Sequence, residues 1–174
     1  HVLTNFGLTL GDRVAVQIEK SPQSLAIYAA CVQAGLIFLP LNTAYTASEL
    51  SYFVEDSGTR VLICDPKSQE SLTPLAQTTG AQLETMDALG SGSFAQKAAP
   101  QPTEFSTVPR KAEDLAAFLY TSGTTGRSKG AMLTQNNLLS NAEVLTDHWA
   151  FTATDVLLHA LPIFHTHGLF VATN

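Results

Sequence analysis

The chain has 174 residues, a formal net charge of −6, and a composition that is 45% hydrophobic but only 14% charged. This balance argues against a disordered chain, and it leaves no basic surface for a nucleic-acid partner. No apolar run approaches the roughly 18 residues that a membrane span needs. The composition favours a globular α/β protein with a sizeable core.

The two cysteines, Cys31 and Cys64, both lie in apolar stretches of the sequence. Thiols in such surroundings are usually buried and reduced. We therefore expect two free cysteines, rather than a disulfide, in a cytoplasmic protein.

Both ends of the chain look cut. The first residue is not methionine, no signal-peptide pattern follows it, and residues 169–174 stop within an apolar, helix-like stretch. We therefore expect residues 1–174 to be an internal piece, truncated at both ends, of a longer protein.

Strand and helix patterns alternate over the first half of the chain. Short apolar strands are predicted over residues 13–17, 37–39, 61–64 and, more weakly, 81–85. Helices are predicted from Ser21-Pro22 to Gly35, from Ser48-Glu49 to Gly58, and over residues 70–79. Because near-continuous apolar strands that alternate with helices pack as parallel strands, we predict an α/β fold with a parallel-rich sheet covered on both faces.

Residues 90–110 change in composition to Gly, Ser, Ala, Pro and Gln, with few large apolar side chains. We interpret this segment as an exposed, variable connection with one helical turn near Phe94. It is either a domain boundary or a long surface excursion within one domain, because the strand pattern resumes directly after it.

The second half of the chain is organised around a loop that is rich in small polar residues. Its predicted elements are a strand over 115–120, the loop over 121–130, a return strand over 131–133, a helix over 135–149 capped by Thr134, and a strand over 155–159. Gly168 then permits a tight entry into the last apolar segment.

The loop, TSGTTGRSKG, packs three glycines, three threonines, two serines and two cations into residues 121–130. Backbone N–H groups, hydroxyls and positive charge in one short stretch suit a concentrated anion such as a polyphosphate. The alternative from residue types alone is a surface hairpin rich in turn formers.

The spacing of the loop differs from the common nucleotide-binding motifs. A Walker loop needs G-x-x-x-x-G-K-[S/T] opening directly into a helix. Here Gly126 follows Gly123 after two residues, and Lys129 is followed by Gly130. The dinucleotide fingerprint G-x-G-x-x-G is also absent, and Ser122 has neither of the serine-nucleophile spacings S-x-x-K and G-x-S-x-G around it.

The segment Tyr120–Gly130 resembles the signature loop of the adenylate-forming superfamily, which includes acyl-CoA synthetases, luciferases and the adenylation domains of peptide synthetases. The residues Gly11–Val14, Gly35–Asn42 and Ala160–His165 resemble three further segments of that family. The resemblance covers essentially the whole chain except the variable region 66–112. It implies that the chain is part of the large N-terminal, AMP-binding domain of an adenylate-forming enzyme.

Within this superfamily the likeness is greatest to malonyl-CoA synthetases. It rests on Pro40–Thr46, His159–Pro162 and His165–Phe170. This resemblance implies an ATP-dependent ligase that joins malonate, or methylmalonate, to coenzyme A through an acyl-adenylate, with release of pyrophosphate and with Mg²⁺ as cofactor. The partners expected on this basis are small molecules: a carboxylate, ATP and coenzyme A.

The resemblance also implies roles for individual residues. Lys129 supplies a positive charge to the phosphates and is a candidate catalytic residue. The phosphate-binding residues expected beside it are Thr121, Ser122, Gly123, Thr124, Thr125 and Gly126. Arg127 is the more replaceable of the two cations, with simple exposure as its alternative.

His165 occupies the position where this family places a side chain that gates the acyl pocket, and His167 is a candidate to face an anionic malonate. The alternative for His165 is a half-buried structural histidine. The spacing His165-x-His167 near His159 also resembles a metal site, but no Cys or acidic residue lies close by, so we predict no protein-held metal there.

Two other functions stay open on the sequence alone. One is a CoA ligase for a fatty or aromatic acid, and the other is a non-catalytic nucleotide-binding module that kept the loop. By resemblance, the adenine-binding motifs and the mobile C-terminal domain with its catalytic lysine lie outside this sequence. We therefore predict that residues 1–174 alone do not catalyse the overall reaction.

Overall fold

A computed structural model describes residues 1–121 and 127–174 of the chain. Six strands in this part of the chain form one sheet: β1 Arg13–Gln17, β2 Ile37–Pro40, β3 Val61–Cys64, β4 Gln82–Thr85, β5 Leu115–Thr121 and β6 Lys129–Thr134. Their order across the sheet is β4-β3-β1-β2-β5-β6. The first five strands run parallel, and β6 pairs antiparallel with β5. The parallel-rich α/β sheet predicted from the sequence is confirmed.

Helices cover both faces of this sheet: α1 Val2–Asn5, α2 Pro22–Gln33, α3 Ala47–Ser57, α4 Gln69–Thr79, α5 Ser93–Ala98 and α6 Gln135–His148. A single 3₁₀ turn, Pro66–Ser68, precedes α4, and a π-helical segment, His167–Val171, lies near the end of the chain. None of the helices within 1–121 and 127–174 is both long and apolar enough to cross a membrane.

The alternation of side chains along β1 divides the core into two layers. Val14 and Val16 pack on one face with α2 and the π-helical segment, whereas Ala15 packs on the other face with α3 and α4. The chain passes from β1 to β2 on one side and then returns to place β3 on the other side of β1. Helix α3, which makes that return, therefore lies on the face opposite α2.

The capping residues explain where α2 and α3 begin and end. Ser21 caps α2 reciprocally with Ser24, as the Ser-Pro pattern predicts. The predicted start of α3 at Ser48 is wrong by two residues, because Thr46 is the N-cap and Glu49 completes the capping box with it. Gly58 ends α3 in the left-handed conformation, with φ of 61°.

The predicted strand over residues 155–159 is wrong. The segment is irregular, and its side chains are exposed, with Val156 at 96% and Leu158 at 90%. Within the described residues no strand pairs with it; instead Lys20 Nζ donates hydrogen bonds to the carbonyls of His159 at 2.7 Å and Leu161 at 3.1 Å. An apolar run forms a strand only where a neighbouring strand offers its backbone groups.

Helix α6 forms as predicted, but its apolar face is largely uncovered. Leu138 is buried, whereas Leu139 is 58% and Trp149 is 52% exposed. Thr134 and Asn137 form a capping box at the N-terminus of α6. The start of the helix is therefore set by local sequence, whereas the burial of its apolar face is not.

The connection over residues 90–110 contains α5, and Phe94 of that helix is buried at 7% exposure. A buried carboxylate holds α5 to the sheet: Glu84 on β4 accepts hydrogen bonds from Lys97 Nζ, from Ser93 Oγ at 2.6 Å and from Gln82 Nε2 at 2.7 Å. The helical turn predicted near Phe94 is therefore present, and it packs onto the core.

Candidate functional site

The polar loop is mounted on the β5–β6 hairpin. Thr121, the last residue of β5, is the register partner of Lys129, the first residue of β6, and the preceding pair is Tyr120 with Gly130. The return strand begins at Lys129 rather than at the predicted residue 131. Both Thr121 and Lys129 are exposed. Residues that face each other in an antiparallel pair project to the same face of the sheet, so this hydroxyl and this ammonium group emerge side by side.

Five of the predicted phosphate-binding residues, Ser122, Gly123, Thr124, Thr125 and Gly126, lie outside the described residues. The described part of the candidate site is therefore the base of the loop: Thr121 on one limb and Arg127, Ser128 and Lys129 on the other. The two limbs are held by strand pairing below them.

Helix α3 contacts both limbs. The Tyr52 hydroxyl donates a hydrogen bond to the carbonyl of Ser128 at 2.8 Å, and the guanidinium carbon of Arg127 lies 4.0 Å from the centroid of the Tyr52 ring. On the other limb the Tyr120 hydroxyl donates to the carboxylate of Asp56 at 2.6 Å. Burial, and then the Asp56 carboxylate, raise the pKa of Tyr120, which keeps this hydroxyl a proton donor.

Sequence reasoning missed Tyr52 and Asp56. Tyr52 precedes its partner Ser128 in the loop by 76 positions, and Asp56 precedes its partner Tyr120, next to the loop, by 64. Within α3 both are ordinary polar positions of an amphipathic helix, and only the fold, with α3 above the β5 end of the sheet, brings them to the loop. No local pattern carries that information.

The histidines form a second group, near the end of the chain. The exposed ring of His165 packs edge-on against Phe164, with centroids 4.6 Å apart, and the exposed His167 opens the π-helical segment. His159 is structural: its Nε2 lies 2.7 Å from the carbonyl oxygen of Gly168 and 3.2 Å from the hydroxyl of Thr173.

Gly168 fixes the turn that presents His165 and His167. A Cβ at this position would lie 2.0 Å from the carbonyl oxygen of Pro162, so the chain passes too closely for any side chain. The tight entry predicted at Gly168 is confirmed, and its cause is close backbone approach.

The described structure does not bring the two groups into contact. Within 1–121 and 127–174, no hydrogen bond or ring contact joins His165 or His167 to Thr121 or Lys129. The same residues contain no cluster of three or more His, Cys, Asp or Glu side chains arranged to hold a metal ion.

Two concave regions differ in their relation to the hairpin. A groove of about 620 Å³ runs beside it, lined in part by Asp56, Tyr120 and Gly130. A mostly apolar cleft of about 510 Å³ lies on the opposite face of the sheet, between α1, α2 and α5, with Ile27 and Phe94 in its wall. Only the first adjoins residues that the sequence assigns to phosphate binding.

Comparison with known proteins gives one family match that extends over the whole chain. The AMP-binding enzyme family matches it over residues 1–174. The crystal structures of apo and ATP-bound MatB from Rhodopseudomonas palustris match with a TM-score of 0.95 and 54% identity, over 98% of this chain and 34% of theirs. This match confirms the fold predicted from the sequence.

Two curated relatives carry ligase names. The mitochondrial malonate–CoA ligase of Mus musculus is 36% identical over 167 residues, which is 94% of this chain and 28% of the relative. The oxalate–CoA ligase of Arabidopsis thaliana is 31% identical over 175 residues, or 97% of this chain and 34% of the relative. The chain thus spans about a third of the length of the curated relatives that it matches.

Proposed function

This chain belongs to the AMP-binding enzyme family, and we propose that it forms part of an ATP-dependent acid:CoA ligase whose acid is malonate or methylmalonate. The observation that carries the proposal is the loop TSGTTGRSKG, mounted on a hairpin whose base sets Thr121 beside Lys129. The 54% identity to MatB, a protein observed with ATP bound, and the malonate–CoA ligase relative support it.

The chemistry explains why such a loop is needed. A carboxylate is a poor electrophile, and attack of one carboxylate oxygen on the α-phosphorus of ATP converts it into an acyl-adenylate. The bond that breaks joins the α-phosphorus to the bridging oxygen, and pyrophosphate leaves with that electron pair. The coenzyme A thiol then attacks the acyl carbon and displaces AMP.

The loop would stabilise the leaving pyrophosphate. Negative charge grows on the β-phosphate as the bond breaks, and fixed donors aimed at that charge lower the barrier. Lys129 contributes a point charge and Thr121 a hydroxyl donor from the same face of the hairpin. Ser122, Gly123, Thr124, Thr125 and Gly126 are proposed to complete the cradle with further hydroxyl and backbone N–H donors.

Mg²⁺ fits this arrangement as a partner of the triphosphate. The ion is usually coordinated by substrate phosphates and a few protein oxygens, and hydroxyl oxygens such as that of Thr121 are chemically suitable. When bound, it would neutralise charge on the departing pyrophosphate. Coenzyme A is proposed as the second substrate on the strength of the relatives' names.

His165 and His167 are proposed to act on the acid. Both are exposed, and both are presented by the turn that Gly168 makes possible. An imidazole at this place can close over an acyl group or, when protonated, face a second carboxylate. We assign His165 to the gate of the acyl pocket and His167 to the anionic end of malonate.

A second short dicarboxylate is the main competing substrate, since the relative from Arabidopsis thaliana is an oxalate–CoA ligase. The test is to trap adenylates with hydroxylamine in the longer protein that contains this chain, offering malonate, methylmalonate, oxalate, a fatty acid and an aromatic acid in turn. We expect hydroxamate from malonate or methylmalonate. A preference for oxalate or for an uncharged acid contradicts the assignment of malonate.

We further propose that the 174-residue chain alone does not complete the reaction, because it spans about a third of its relatives. The compartment also stays a proposal. Two buried free cysteines suit a reducing compartment such as the cytoplasm, although the Mus musculus relative is mitochondrial by name.

A further inference from the structure

Helix α3 holds the phosphate loop through one side chain used twice. The hydroxyl of Tyr52 donates to the backbone carbonyl of Ser128 at 2.8 Å, and the ring of the same residue lies under the Arg127 guanidinium at 4.0 Å. Both contacts fall on the two residues that precede Lys129. One tyrosine therefore fixes the backbone and the nearest cation of the limb that carries the lysine.

One helical turn later, α3 contacts the other limb. Asp56 accepts a hydrogen bond from the Tyr120 hydroxyl at 2.6 Å. Tyr120 is the residue directly before Thr121. Residues four apart lie on the same face of a helix, so Tyr52 and Asp56 face the hairpin together. The ring of Phe53, from the same helix, also packs against Tyr120, with centroids 4.5 Å apart.

The helix is itself fixed at both ends. The capping box of Thr46 and Glu49 orders its first turn. At its last turn, Arg13 donates hydrogen bonds to the carbonyls of Ser57 and Gly58, both at 2.7 Å. Such a helix is a rigid mount, and side chains on a rigid mount can set the position of a loop.

We propose that Tyr52 and Asp56 are positioning residues for the phosphate loop, and that Arg127 is the cation by which the loop is latched to α3 rather than a phosphate ligand. The catalytic half of this inference rests on the proposed function. A stacked guanidinium and one hydrogen bond form a weak latch, which holds Lys129 in place yet can open when pyrophosphate leaves.

Trypsin cleavage of this chain tests the latch without any activity. Trypsin cuts after Arg127 only when that side chain leaves Tyr52. Tyr52→Phe, which removes the hydrogen bond, should speed cleavage of the Arg127–Ser128 bond about fivefold, and Tyr52→Leu, which removes both contacts, about 20-fold. Cleavage at Lys67, whose side chain is 73% exposed, is the internal reference.

Tyr45→Phe is the matched control. The Tyr45 ring also packs on Phe53, with centroids 4.9 Å apart, but its hydroxyl makes no hydrogen bond within the described residues. Removing that hydroxyl should leave cleavage at Arg127 unchanged. Equal rates in wild type, Tyr52→Phe and Tyr52→Leu would overturn the latch.

Pyrophosphate exchange in the longer protein tests the catalytic half. Tyr52→Leu should raise the KM for pyrophosphate and for ATP about 10-fold and leave the KM for malonate as in Tyr45→Phe. An equal rise in the malonate KM would show general damage and overturn the positioning role. A wild type that is inactive with every acid overturns the proposed function and the catalytic half with it, whereas the trypsin rates judge the latch alone.

Discussion

Thr121 and Lys129 are register partners across the β5–β6 hairpin, eight positions apart in sequence and side by side at the base of the loop. Lys129 is therefore fixed by strand pairing at the base of the loop. Strand pairing places a hydroxyl and an ammonium group on one face of the hairpin at the base of the loop. We propose that this geometry lets the strand–loop–strand hold an anion without the helix that follows a Walker loop.

Replacing Lys129 tests that arrangement. Lys129→Met keeps the length of the side chain but removes the charge proposed to stabilise pyrophosphate. Adenylate formation, measured in the longer protein as kcat/KM for ATP, should fall about 100-fold. Lys111→Met, at another exposed lysine remote from the loop, is the control and should behave as wild type. A change of less than about twofold in Lys129→Met would exclude Lys129 from the phosphate site.

Gly168 should tolerate no side chain. The new Cβ of Gly168→Ala would meet the Pro162 carbonyl at 2.0 Å, so the turn that presents His165 and His167 must shift. We expect the free energy of unfolding in urea to fall by about 2–3 kcal/mol. Gly80→Ala is the comparison, because its φ of 71° is left-handed but the space around it is open. It should cost only about 1 kcal/mol, and equal losses would contradict the steric argument.

The Glu84–Lys97 pair should set part of the acid stability. Burial alone would raise the pKa of Glu84, but hydrogen bonds from three neighbouring side chains outweigh it and hold this pKa below its usual value. Because the folded-state pKa is the lower one, this stabilisation is present above about pH 4.3 and is lost as the pH falls through the folded-state value.

Lys97→Met should therefore destabilise the chain by about 1–2 kcal/mol at pH 7. This is less than the loss of a fully buried ion pair would cost, because the Lys97 side chain is 48% exposed. It should also raise the pKa of Glu84, so acid unfolding begins at a higher pH. Lys67→Met removes the ion pair that the exposed Lys67 side chain makes with Asp65, and it serves as control. Identical urea and acid titrations for both variants would show that Glu84 does not need its partner.

The two cysteines should be inert in the folded chain. Burial raises the pKa of the Cys64 thiol to about 12 and also raises that of Cys31. At pH 8 a disulfide reagent such as DTNB should react roughly 1,000-fold more slowly with the native chain than with the chain in urea. Fast reaction of either thiol in the native state would show that the core around that cysteine becomes accessible to solvent, and would contradict this prediction.

Local sequence patterns predicted most of the helices and strands, but they did not predict contacts between residues that are distant in sequence. The Ser21-Pro22 start of α2 and the end of α3 at Gly58 follow from capping chemistry that acts within a few residues. The strand expected over 155–159 failed because an apolar run does not reveal whether a partner strand lies beside it. The roles of Tyr52 and Asp56 could not be predicted for the same reason, since their partners lie 76 and 64 positions away in sequence.

Adenylation of malonate or methylmalonate can be measured directly, as acid-dependent exchange of radiolabelled pyrophosphate into ATP. The exchange should be measured for the longer protein containing this chain and for the 174-residue chain in parallel. We expect exchange that requires malonate or methylmalonate in the longer protein and none in the isolated chain. Exchange that requires oxalate or an uncharged acid instead, or no exchange with any acid, would contradict the proposed function.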